Sequence, residues 1–207
     1  MPNRNKKCDG VNPITAPMTV AFAIVFFAAA VLGRFLPHAP NFVPIAALAL
    51  WSGFYLPKRI GFALPVAAMF ISDAVIGFYD PRLMAVVYGS FVLTVAIGWF
   101  VRRERSVTAV ALGSVAGSVL FFLATNFAVW ALSNWYPHTA NGLLGVYLAG
   151  IPFFRSTLFS DLAFNALFFG AYALALALAR RRQPAPTTTM PIPPEYSGTS
   201  ARPYDGR

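Results

Sequence analysis

Asp73, Asn126 and Asp161 each stand inside a long run of apolar residues, surroundings in which a carboxylate or carboxamide is too costly to persist without a partner or a task. Three such groups could hydrogen-bond or ion-pair with a small polar solute. Asp161 also forms a row with Thr157 and Asn165 at i, i+4, i+8 spacing, which puts three polar side chains on one face of a helix. Arg34 and Arg155 could meet an anionic group on the solute, and Trp130 and Tyr136 could stack against it. A plainer reading of the same residues stands beside this one. Asp73 or Asp161 would pair with Arg34 or Arg155 to pin two helices together, and the aromatics would only mark the interface where Trp and Tyr gather in any membrane protein.

Other chemistry is excluded by what the chain lacks. Its two histidines, His38 and His138, each follow a proline outside the apolar runs, where they cannot be the axial ligands of a haem held between helices. They read as polar rim residues, and no metal or cofactor is expected. The two glutamates, Glu104 and Glu195, lie outside the apolar runs too, and no His-Glu-x-x-His run or Walker loop occurs. A Gly-x-Ser-x-Gly elbow is also missing. The expectation is a protein that is not an enzyme and cannot hydrolyse ATP alone. Cys8 is the single cysteine, so no intramolecular disulfide forms.

The elements that must position these residues follow from composition and charge. Apolar residues make up 57% of the 207 and charged residues 11%, against roughly 25% charged in a soluble domain; mean hydropathy is +0.61. Apolar runs fall at about 17–33, 43–57, 60–78, 83–101, 107–132 and 151–179. The reading is an all-α polytopic membrane protein, a bundle of six transmembrane helices over residues 17–182. A cytoplasmic tail covers 1–16 and a Pro-rich, disordered cytoplasmic tail covers 183–207. The second run is short and bracketed by Pro44 and Pro57, so it should tilt little or be partly re-entrant. Pro152 at the head of the sixth predicts tilt or an interfacial turn there. A basic start, an apolar run and Ala28-Ala29-Ala30 loosely resemble a signal peptide, but cleavage would discard a helix that the bundle needs.

The net charge of +9 serves topology and not nucleic acid. Thirteen Lys and Arg, among them Lys6, Lys58, Arg59, Arg102, Arg103, Arg105 and Arg180, fall on the side of the N-terminus, whereas Arg34, Arg82 and Arg155 fall on the other. Basic residues near span ends resist translocation, which predicts both termini in the cytoplasm and a bacterial inner-membrane location. Helical rise then sets depth. Asp73, Asn126 and Arg155 belong in the outer leaflet and Asp161 near the midplane. The expected site is a cavity of a few hundred Å³ between helices three, five and six, with Asp161 as floor and the loops carrying His38, Asn41 and Tyr136 as cap. Ala109, Gly113 and Gly117 form a small-residue face suited to close helix packing.

The loops carry an ordered set of motifs: Arg34-x-x-Pro37-His38-x-x-Asn41-x-x-Pro44, Ser72-Asp73, Thr125-Asn126-Phe127-x-x-Trp130, Tyr136-Pro137-x-Thr139-x-x-Gly142-Leu143, and Ile151-Pro152-Phe153-Phe154 with Asp161 behind. Over residues 18–179 this set resembles an uncharacterised family of small bacterial membrane proteins regarded as transporters. That family is itself similar to the substrate-binding S components of energy-coupling-factor transporters. The resemblance implies a six-helix bundle that captures a vitamin-like micronutrient or cofactor precursor from outside, with the coupling membrane subunit and ATPases as separate chains. Nickel and cobalt relatives use an N-terminal Met with a nearby His, whereas this chain begins Met1-Pro2-Asn3. The alternative is a structural or assembly subunit without transport activity.

Overall fold

The computed structural model describes residues 15–37 and 39–181; both predicted tails, except Thr15 and Ala16, lie outside the described residues, as do Arg182 and His38. Six helices follow one another: α1 (Thr15–Gly33), α2 (Ile45–Tyr55), α3 (Lys58–Ile76), α4 (Pro81–Val101), α5 (Val107–Leu132) and α6 (Ala140–Arg181). Five are long and apolar enough to cross a membrane, and α2 is the exception. Large apolar side chains such as Ile24, Val75, Leu112, Phe159 and Leu174 face outward, as a bilayer, not water, would allow.

Helix boundaries are set by short-range chemistry. Asp80 caps α4, its carboxylate accepting from the backbone N–H of Arg82 at 2.8 Å and of Leu83 at 3.3 Å, with Pro81 in the first turn. Ser106 caps α5 by accepting from Ala109 N–H at 3.1 Å. α3 stops at Gly77, whose φ of 118° lies in the region that glycine alone enters freely.

The expected second span is shorter than the sequence suggested. Eleven residues of α2 extend about 16 Å, roughly half of a hydrocarbon core of about 30 Å. Yet α2 is the most enclosed helix, with Ile45 and every residue from Ala47 to Gly53 buried. It packs against all five others. Its tightest neighbour is α4: a Cβ added at Gly53 would run into the Val95 carbonyl, and one at Gly98 into the Leu50 carbonyl. Glycine on both helices thus lets two backbones touch. Trp51 meets Phe26 and Tyr172 edge-on, while Phe26 and Phe168 stack at 3.9 Å, so rings from three helices make the core.

The missing length of α2 is made up by residues 34–44. Arg34 lies beside Ser72 and Asp73, near the end of α3. Nine residues later the Val43 carbonyl accepts from Ser160 Oγ at 3.4 Å, midway along α6. The described residues of the segment are not helical; Phe35, Leu36, Pro37, Ala39, Pro40 and Asn41 are exposed, and the chain becomes enclosed from Phe42 to Pro44, where it joins α2. Asn41 takes a left-handed turn in it, with φ of 60°, a conformation that asparagine accepts more readily than most residues.

The sixth element also differs from expectation. α6 begins at Ala140, not 151, and Pro152 lies inside it. Below the proline it runs antiparallel to α5: Asn165 meets Ser114 and Asp161 meets Ser118. Above it Gly150 abuts Asn126, and the Tyr147 hydroxyl reaches along α5 to donate to the Leu123 carbonyl at 3.0 Å.

Candidate functional site

The intramembrane polar residues divide into two groups. In the first, the Arg34 guanidinium holds an Asp73 carboxylate oxygen at 2.7 Å and donates to Ser72 Oγ at 2.7 Å and Met69 Sδ at 3.2 Å. The other Asp73 oxygen accepts from Tyr88 O–H at 2.6 Å. Asp73 is 1% exposed, so this closed set fastens the end of α1 to α3 and α4. The helix-pinning pair expected as the plainer reading is the one formed here.

The second group lies between α5, α6 and the inward segment. A cavity of about 150 Å³ is lined by Asn41, Thr125, Asn126 and Thr157 together with Phe121, Phe122 and other apolar groups. A smaller one of about 40 Å³ adjoins it, sharing Asn41, Phe121 and Thr157, and adds Thr94 and Asp161. Asn126 donates to the Phe122 carbonyl at 2.8 Å, and its Oδ1 is directed at Gly150, where a Cβ would collide with it. The Asn41 carboxamide is exposed at the mouth and engages no described side chain or backbone group. Asp161, 3% exposed, accepts from Ser118 O–H at 2.6 Å and pairs with no cation among the described residues. Asn165 donates to Ser114 Oγ at 3.0 Å and to the Asp161 carbonyl at 2.8 Å, leaving its own Oδ1 buried and unbonded.

The structure thus brings Asn41, Asn126 and Asp161 together and places Asp73 and Arg34 elsewhere. Arg155 is exposed and lines neither cavity; with Ala140 as the helix start it lies fifteen residues in, not four after the start as the sequence suggested. Trp130 donates to the Pro137 carbonyl at 3.0 Å and meets the His138 ring edge-on, and Tyr136 covers Gly145. Both organise the α5–α6 connection instead of the cavity wall. His38 lies outside the described residues. The cavity is also smaller than the few hundred Å³ expected. Sequence reasoning missed Ser118 as the partner of Asp161, although Ser114 and Ser118 repeat the four-residue spacing of Asp161 and Asn165. Thr157, expected in the polar row with Asp161, and Thr125, beside Asn126 in the sequence motif, both line the cavity, and their hydroxyls bond back to their own helices at 2.9 and 2.7 Å.

In comparison with known families, residues 14–186 fit a family described as "Family of unknown function (DUF6580)". No curated protein and no solved structure matches.

Proposed function

For a chain that belongs to the DUF6580 family of unknown function, we propose a role as a multi-pass inner-membrane protein, both termini cytoplasmic, that binds a small polar solute from the outer face for uptake. The observation that supports this reading is the polar cavity between α5, α6 and residues 34–44. Amides and hydroxyls inside a bundle of apolar helices are costly, and here they converge on space instead of on one another. No nucleotide-binding loop occurs in the sequence, so the energy for transport comes from separate chains, a coupling subunit with ATPases in the manner of S components, or from an ion gradient. The role is binding and release, without catalysis. At about 150 Å³ the cavity matches a guest of benzene size, smaller than a whole vitamin.

The test is retention. Purified protein in lipid nanodiscs, equilibrated with a small-molecule cell extract and washed, should carry a solute detectable by mass spectrometry, and Asn126→Leu should lose it. Equal recovery from both proteins, or none from either, overturns the reading. A second reading, a structural subunit without transport, is favoured by the Arg34–Asp73–Tyr88 set, whose carboxylate is fully engaged by protein. The glycine face gives it no support, because Gly113 packs on Val101 and Ile97 and Gly117 on Thr94, all within the bundle.

A further inference from the structure

Resting on that solute-binding reading, we propose that the ligand is a compact organic ammonium ion, its head in the lower cavity beside Asp161 and its apolar body among the phenyl rings above. The argument begins with which hydrogen-bonding capacity the lining leaves open. The hydroxyl protons of Thr94, Thr125 and Thr157 all go to carbonyls of their own helices, Ser90, Phe121 and Phe153. What these side chains still offer is oxygen lone pairs. Asn126 likewise donates to its own helix and directs Oδ1 toward Gly150, itself part of the cavity wall. Asp161 lies 2.6 Å from Ser118 Oγ, whose one proton is shared with the Ser114 carbonyl at 3.1 Å, and its carboxyl group has room for further donors. Asn41, which lines both cavities, also offers N–H donors, so among the described polar side chains of the lining five offer open acceptors, Thr94, Thr125, Thr157, Asn126 and Asp161, and one offers open donors.

Charge points the same way. Among the described residues no Lys or Arg lines either cavity, and the basic candidates from the sequence are committed or elsewhere, Arg34 to Asp73 and Arg155 to the exposed surface. An anionic solute would meet a carboxyl group and lone pairs, with the Asn41 carboxamide as donor and no described basic counter-charge. The apolar part of the wall is aromatic: Phe121, Phe122, Phe153 and Phe154 line the upper cavity, and phenyl faces attract cations. Size completes the match. The lower cavity of about 40 Å³ admits a head of roughly water size, and the upper one a body no larger than a six-membered ring.

The experiment measures binding of three matched probes, propylammonium, propionamide and propionate, to the full chain in nanodiscs at constant ionic strength, by calorimetry and thermal stability. Saturable binding of propylammonium, with the amide and the acid weaker by about tenfold or more, is the expected result. Asp161→Asn should weaken propylammonium by at least about tenfold. Phe154→Leu, which leaves the carboxylate untouched, should weaken it several-fold and serves if the first variant does not fold. Equal or better binding of propionamide or propionate overturns the ammonium class and leaves the solute reading standing, as does a neutral or anionic solute recovered in the retention test. Stabilisation by sodium chloride over choline chloride, without a propylammonium effect, overturns it in favour of an inorganic cation site. No binding of any probe, with nothing retained from the extract, overturns both.

Discussion

Asp73 gives one oxygen to Arg34 and the other to Tyr88, and Asp161 gives one to Ser118 and has no cation beside it among the described residues; the two aspartates, similar in sequence context, predict opposite responses to mutation. Asp73→Ala leaves the Arg34 guanidinium, 17% exposed, without its counter-charge. Removing one member of a buried pair costs roughly 3–5 kcal/mol, so thermal unfolding in detergent should show a large loss. The double variant Arg34→Met with Asp73→Leu should recover most of it, since an apolar replacement of a buried pair is often neutral. Asp161→Asn should unfold close to wild type, because an asparagine Oδ1 still accepts from Ser118. A cooperative loss of stability there would assign Asp161 to the scaffold. The sequence showed that both carboxylates were buried and exceptional but could not separate them. The separation lies in Tyr88 and Ser118, side chains fifteen and forty-three residues away from their partners, and no local pattern reports a contact at that range.

At the scale of elements, the close approach of α2 and α4 is the joint most sensitive to a single atom. Gly98→Val would drive side-chain carbon into the Leu50 carbonyl and Gly53 Cα, neither of which can rotate away. Overpacking of this kind costs about 1–3 kcal/mol where side chains can adjust, and two backbones cannot. The variant should therefore fail to yield monodisperse protein, whereas Gly89→Ala, with open space at its Cβ position, should purify normally. The cap of α4 gives a pH test. Backbone donation from Arg82 holds the Asp80 carboxyl below its usual range, so its contribution is present above the unfolded value of about 3.9 and is lost as pH falls through the lower folded value. Asp80→Asn should flatten the acid limb of stability below about pH 4 and leave neutral pH little changed. Element existence was legible because 20-residue apolar runs announce themselves. The true start of α6 was not: Ala140 to Gly150 is interrupted by glycines and follows a polar loop, and its helicity comes from lying against α5 through Tyr147 and Gly150.

For the whole molecule, the arrangement of basic residues gives the decisive test of topology. Lys58 lies over the Trp99 ring at 3.8 Å and Arg103 at 5.9 Å, so the α3 start and the α4 end gather positive charge at one end of the bundle. With Cys8 replaced, single cysteines at 38 and 138 should react with a membrane-impermeant reagent in intact cells, and those at 58, 104 and 190 should not. Reaction at 104 would overturn the proposed orientation. The number of helices was readable from hydropathy and charge alternation, whereas the inward path of residues 34–44 was not. Its signals are a left-handed Asn41 and a carbonyl accepting from Ser160, both products of the assembled bundle. The candidate site depends on that path, since Asn41 and Val43 form part of its wall.

The shortness of α2 also bears on how the protein is made. A segment of 11 residues is too short to partition stably into a bilayer as it leaves the ribosome, when about 20 apolar residues are needed. Its central position depends on α3 and α4 arriving to enclose it. Nascent chains ending near residue 57 should therefore have no fixed arrangement beyond α1. Chains long enough to include α4, with Gly98 placed to receive Gly53, should lock α2 into the membrane, and glycosylation-site mapping on truncated chains would time that step.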